Sequence, residues 1–188
     1  MITELKLKLS YADPSTSFDY NIASTMHGVL MEHLESDYQD YMHRDGLRPY
    51  TQAVLQMDSQ SFLWRICTLT KEAEEKIIQP LLQKENFFLK YKDQELRAES
   101  RELRSISYES LISDYYFEKQ PRVFHMEFMT PTAFKSHGEY VFMPSVRLIF
   151  QSLMRKYDAF STDTAIGNDE ILEQIENDLT DKEKEIVR

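Results

Sequence analysis

Between Ile22 and Pro49 the side chains Met26, Leu30, Leu34, Tyr38 and Met42 recur at intervals of four residues, while Glu32, Glu35, Ser36, Gln39 and Asp40 fall mostly on the other side. A helical period sustained this long predicts one amphipathic helix, and its apolar stripe must lie on a second layer of structure. Gly46 and then Pro49 follow the last periodic residue, the usual order of helix stop signals. His43 therefore falls in the last turn or just beyond it, where unpaired carbonyls and the helix dipole favour a protonated imidazole. That place suits acid–base chemistry, and a solvated capping histidine is the plain alternative.

The second layer is legible on both sides of the helix. Leu5, Leu7 and Leu9 alternate with Lys6, Lys8 and Ser10, a strand pattern and not the apolar run of a signal peptide. After the helix come a short strand (Tyr50–Met57), a polar turn (Asp58-Ser59-Gln60) and a strand rich in aromatic and β-branched residues (Phe62–Leu69), which together read as a hairpin. Thr70 is placed to cap a second helix, Lys71–Gln83, whose apolar face is Ile77, Ile78, Leu81 and Leu82 and which Pro80 is expected to kink or split. Phe87–Tyr91 and Glu95–Ile106 supply further strands. The order βαββαβ predicts an α+β chain with a ferredoxin-like (RRM-like) domain.

Glycine and proline number four and six, so boundaries are read from changes of pattern. The polar, aromatic run Ser113–Arg122 is the candidate linker, giving a first domain over 1–120 and a second over 121–188. In the second, Phe124, Met126 and Phe128 read as a strand, Ser136–Glu139 as a turn and Tyr140–Met143 as a short strand. Pro144 then opens a helix with Val146, Ile149, Phe150, Leu153, Tyr157 and Phe160 on its apolar stripe. A small polar linker, Ser161–Gly167, leads to a charged helical segment. This is a partial second ferredoxin-like unit, with no second hairpin or closing strand after the helix.

Charge and cysteine content restrict partners. The net charge of -10 argues against a generic nucleic-acid binder, but the distribution is uneven. Residues 168–188 hold eight acids and three bases, a balance of -5, whereas 134–156 hold Lys135, Arg147, Arg155 and Lys156 against Glu139 alone, a balance of +3. Lys135, His137, Arg147, Arg155 and Lys156 are thus the candidates for a basic face that would contact a polyanion, with Tyr115-Tyr116 available for stacking on bases. Cys67 is the single cysteine, so neither an internal disulfide nor a cysteine zinc site is expected. No compact carboxylate cluster of the two-metal kind is visible, and no metal or cofactor is expected. Pro144 and Arg147 interrupt the best candidate for a membrane span, so a cytoplasmic protein is expected.

Two blocks carry a family resemblance. His27-Gly28-Val29-Leu30-Met31, Tyr41-Met42-His43 and Arg48-Pro49-Tyr50 resemble the N-terminal region of the CRISPR-associated endoribonucleases of the sixth Cas family, closest to members from type III systems. Phe128 to Ser136 and Pro144 to Leu153 are similar to the family's next segment. The resemblance implies metal-independent cleavage of CRISPR repeat transcripts into guide RNAs by 2'-hydroxyl attack, leaving a 2',3'-cyclic phosphate and a 5'-hydroxyl. It matches His43 to the catalytic histidine, as general acid or general base, and Arg48 to a basic residue that stabilises the transition state. Where the family carries a tyrosine this chain has Met31, which transfers no proton; His27, His33, Tyr38 and Tyr41 are the substitutes. Expected partners are repeat RNA, a type III interference complex and, as an assembly state, a homodimer. The family's glycine-rich C-terminal segment has no counterpart, so the chain is expected to lack the C-terminal part. The rival expectations are a non-catalytic RNA-binding or assembly module and a plain protein-interaction domain.

Overall fold

In the computed structural model, residues 1–19, 21–116, 126–130, 132–162 and 165–179 are described, residue 116 by its backbone alone. Strand β1 (Ile2–Tyr11) is the centre of a five-stranded antiparallel sheet in the order β2-β3-β1-β5-β4, with β2 Tyr50–Gln56, β3 Ser61–Thr68, β4 Asn86–Leu89 and β5 Gln94–Ile106. Alternation decides which face of β1 turns inward: Leu5, Leu7 and Leu9 are fully buried, while Lys6 and Lys8 lie on the opposite face. Leu7 sits between Trp64 of β3 and Arg101 of β5. This is the ferredoxin-like arrangement, with β5 as the closing strand and β4 as an additional edge strand paired to its first four residues.

The expected single helix is two. Helix α1 spans Ile22–Glu32 and helix α2 Ser36–His43, separated by an extended Glu35 (φ -60°, ψ 146°). The His33 ring takes the Val29 carbonyl at 2.7 Å, and the N–H groups of His33 and Leu34 turn back to Leu30 and Met31, each at 3.1 Å. The side chain thus occupies the acceptor that a continuing helix would give to the His33 N–H. The stripe survives the break: Met26, Leu30, Tyr38 and Met42 are buried and Leu34 packs on the core.

The second helical layer is α3 (Lys71–Ala73), a π-helical turn (Glu74–Ile78) and α4 (Gln79–Leu82) in unbroken succession. Thr70 Oγ1 accepts the Ala73 N–H at 3.1 Å, as a cap should. Pro80 does not split the stretch. The wider π turn before it absorbs the missing N–H and the bulk of the ring. Ala73, Ile77, Ile78 and Leu81 are buried under it, around a core whose largest members are Trp64, Phe62 and Phe87. Helix α5 (Tyr108–Tyr116) occupies the first four residues of the run expected to be a linker, and its Tyr108 hydroxyl donates to the Leu69 carbonyl at 2.9 Å.

The sheet face turned from the helices carries an ion-pair network in which Glu4 meets Lys6 at 3.3 Å and Arg65 more closely. Partial burial raises the Glu4 carboxyl, but the hydrogen bonds and charges of Arg65 and Lys6 outweigh it, so the carboxyl titrates below the ordinary range. A carboxyl depressed on folding contributes stability above its unfolded value, about 4.3, that is lost as pH falls through the folded value. Glu4→Gln is therefore expected to flatten the acid limb of a stability–pH profile between about pH 5 and 3. An unchanged acid limb, measured by urea midpoints, would count against this network.

The chain divides into two compact units between Thr130 and Pro131, ten residues beyond the expected boundary. In the second unit β6 (Phe134–Ser136) pairs with β7 (Glu139–Val141) through His137 and Gly138, both at positive φ (53° and 86°), as a two-residue hairpin turn requires. The expected turn is there, but its first strand is Phe134–Ser136; Phe124 and His125 lie outside the described residues, and Met126–Phe128 form no strand. Helix α6 (Val146–Phe160) is capped by Ser145, whose Oγ accepts the Leu148 N–H at 3.2 Å, so Pro144 precedes the cap instead of opening the helix. Met154 is its buried residue, whereas Leu153, expected on the stripe, is 57% exposed. Helix α7 (Asp169–Asp178) packs against α6, capped by Asn168. Residues 180–188 of the expected charged helix lie outside the described residues. No helix among the described residues is long and apolar enough to cross a membrane.

Candidate active site and basic surface

The C-terminal end of α2 is held by an arginine that lies two residues before β2. After His43 the chain reverses through Gly46 (φ 115°), and Arg48 reaches back so that its Nε–H donates to the Met42 carbonyl at 2.5 Å and a second N–H donates to the Gly46 carbonyl at 3.1 Å. A guanidinium on the last carbonyls of a helix both caps it and complements its dipole. Arg48 is half-buried, and His43, the residue after the bonded carbonyl, is exposed.

Two residues further on, Tyr50 opens β2 with only 9% of its surface exposed. Its hydroxyl lies 3.1 Å from Nδ1 of His27, which stands exposed on α1. Burial pushes the Tyr50 phenol up and outweighs the opposite pull of the Arg48 charge, so the hydroxyl keeps its proton at neutral pH. The fold thus joins His27 of α1 to the first residue of β2, and Arg48, two residues before that strand, to the end of α2 beside His43. An imidazole held by a neutral hydroxyl, a second imidazole at a helix end and a fixed guanidinium can move protons and stabilise developing anionic charge.

Tyr41 is placed elsewhere. Its ring packs on Tyr38 (centroids 5.5 Å apart) at a cleft of about 320 Å³ lined also by Glu35, Asp37, Glu72 and Lys76. Two residues along a helix is more than half a turn, so Tyr41 and His43 diverge. Among the described residues the Tyr38 hydroxyl has no hydrogen-bond partner, and burial, with the charge of Glu72, drives its titration strongly upward. His33 is spent on the Val29 carbonyl and the Phe87 ring, 5.9 Å away. Tyr50 is the member that sequence reasoning missed. In sequence it is the first residue of a strand, and nothing in its spacing marks the long-range partner on α1.

In the second unit the expected basic residues fall into two groups. Lys135 and His137 share the β6–β7 hairpin: the Lys135 ammonium lies 4.6 Å from the centre of the Tyr140 ring, and His137 Nδ1 is 3.0 Å from the Ser136 hydroxyl. Arg147, Arg155 and Lys156 share α6. Arg155 is exposed and Lys156 half-buried, but Arg147 is clasped by two carboxylates of α7, Asp169 at 2.6 Å and Glu176 at 3.3 Å. The opposite charge balances of 134–156 and 168–188 were the available signal for this contact. Tyr115 is 63% exposed; the Tyr116 side chain lies outside the described residues. Among the described residues no group of three or more His, Cys, Asp and Glu side chains could hold a metal ion.

Comparison with known proteins bears on both units. Residues 126–184 match the family model described as CRISPR-associated endoribonuclease Cas6. The chain is 40% identical over 136 residues to the CRISPR-associated endoribonuclease Cas6 of Mycobacterium tuberculosis, covering 71% of this chain and 43% of that protein. Against its counterpart from Streptococcus thermophilus it is 39% identical over 137 residues, covering 73% and 56%. The chain thus spans about half the length of the curated relatives it matches. Among solved structures, a Cas6 product complex superposes with a TM-score of 0.64 at 21% identity over 94% of this chain and 71% of the other. A Cas6 substrate mimic complex gives 0.58 at 15% identity over 93% and 68%.

Proposed function

We propose that this chain, a relative of the CRISPR-associated Cas6 endoribonucleases over some 136 residues, cuts CRISPR repeat transcripts into guide RNAs. What supports the reading is the pair of contacts near the start of β2, His27 with Tyr50 and Arg48 with the carbonyl that precedes His43. The 2'-oxygen attacks the adjacent phosphorus while one imidazole takes its proton; the bond from phosphorus to the 5'-oxygen breaks, and the second imidazole, protonated beforehand, gives its proton to that oxygen. The products are a 2',3'-cyclic phosphate and a 5'-hydroxyl. Arg48, fixed by two carbonyls, offers its charge to the phosphorane. The step needs no metal, and the guide passes to a type III interference complex. Incubating the protein with a repeat RNA and identifying the end groups tests the reading; ends bearing 3'-hydroxyl and 5'-phosphate would contradict it.

The basic residues of α6 and of the β6–β7 hairpin contact phosphates in this reading, and α7 competes for one of them. Exposed ion pairs are worth about 0–1 kcal/mol each, so RNA can displace Asp169 and Glu176 from Arg147 at small cost. Asp169→Asn combined with Glu176→Gln is expected to tighten RNA binding several-fold at low salt. The slope of log affinity against log salt should steepen by about one counterion. Adding Arg147→Gln should cancel both changes. A double variant with unaltered affinity and slope would remove Arg147 from the RNA path.

A further inference from the structure

Resting on that reading, we propose that Tyr50 is the positioning residue that sets the tautomer of His27 and so makes it the proton acceptor of the reaction. The geometry is specific: a hydroxyl on a 9% exposed residue at the start of a strand sits 3.1 Å from Nδ1 of an exposed histidine 23 positions away. A neutral imidazole carries one proton, and the partner of one nitrogen decides the state of the other. With Nδ1–H donating to the Tyr50 oxygen, the Nε2 lone pair is available to take the proton of the attacking 2'-hydroxyl. When it does, the ring becomes an imidazolium whose Nδ1–H still points at the same oxygen, and that hydrogen bond strengthens because its donor is now charged. No partner has to be exchanged during the step. A hydroxyl suits this place better than a carboxylate in one respect: it fixes the ring without adding a negative charge beside an incoming phosphate.

The arrangement also accounts for Met31. Where the resembled family has a tyrosine in the helix, this chain supplies a histidine four residues earlier and a tyrosine from the neighbouring strand to hold it. The phenol is here the support of the base, and the imidazole is the base.

Tyr50→Phe removes the oxygen and keeps the buried ring, so the fold should persist, as circular dichroism can confirm. Ring-nitrogen NMR on the labelled protein should show His27 mainly as the Nδ1–H form in the parent and shifted towards the Nε2–H form, which free histidine prefers, in the variant. Single-turnover cleavage of a repeat RNA should fall about 5- to 50-fold with affinity for the RNA unchanged. A parent His27 found mainly as Nε2–H, or a tautomer unmoved by Tyr50→Phe while His27→Ala is damaging, would overturn this inference alone. Undiminished cleavage by His27→Ala would overturn the catalytic use of His27 and this inference together.

Discussion

Replacing His43 with alanine is expected to lower cleavage of a repeat RNA by about 10² to 10⁴, the usual worth of a positioned acid or base, and to leave RNA affinity nearly unchanged. The side chain is exposed at the end of α2, so its loss opens no cavity, and the neighbouring Met42 carbonyl keeps its Arg48 donor. The effect should fall on the chemical step alone, which single-turnover rates and filter-binding affinities separate. Cleavage should also persist in EDTA. If the 188-residue chain holds RNA too weakly to assay, the same substitution is made in a form extended to the length of its relatives, with the parent of that form as reference. Full activity in His43→Ala, or loss of activity on chelation, would refute the proposed chemistry.

The largest loss of stability is expected at Trp64. The indole is fully buried in β3, meets the Phe87 ring edge-on at 5.7 Å, and donates from Nε1 to Gln52 Oε1 at 3.0 Å. Trp64→Ala leaves a cavity between the sheet and the helices and strips Gln52 of a partner, a combination that costs about 3–5 kcal/mol. Domains of this kind have about 5–15 kcal/mol in total, so the variant should lose a fifth or more of its stability and its denaturation midpoint should fall sharply. It is the sole tryptophan, so the denaturation midpoint must be followed by circular dichroism and not by fluorescence. Trp64→Phe should recover more than half of the loss. A cost below about 1 kcal/mol for the alanine would mean that the core collapses around the site far more than cores normally do.

These two residues were legible from the sequence to different depths. The alternation of Leu5, Leu7 and Leu9 and the four-residue spacing of Met26 to Met42 announce a sheet covered by helices, because both periods survive any detail of tertiary packing. The break at Glu35 did not show. It follows from a ring-to-carbonyl bond between His33 and Val29 that competes with the backbone ladder, and the apolar stripe is the same with or without it. In the second unit Met154 is buried where Leu153 was expected, since one residue of rotation about a helix is invisible to a pattern with apolar residues at both positions. The proposed site divides in the same way. His27, His43 and Arg48 stand out by residue type and resemblance, whereas Tyr50 acquires its partner only when β2 is laid beside α1. Arg147 reads from the sequence as a candidate RNA contact, and its carboxylate partners lie 22 and 29 residues away.

The central place of β1 bears on how the chain is made. Its two neighbours in the sheet are β3, ending at Thr68, and β5, ending at Ile106, so Ile2 pairs with a residue 104 positions later. Translation proceeds at about 5–20 residues per second, which leaves the first strand without its second neighbour for on the order of ten seconds. During that interval the edge that β5 will occupy stays open, and the row Leu5, Leu7 and Leu9 awaits its full covering. Pairings this distant in sequence also slow refolding after dilution from denaturant, because the loop must close before the contacts reward it. The nascent chain therefore passes through a stage open to edge-to-edge association between neighbouring copies, and slower elongation past residue 68 would lengthen it.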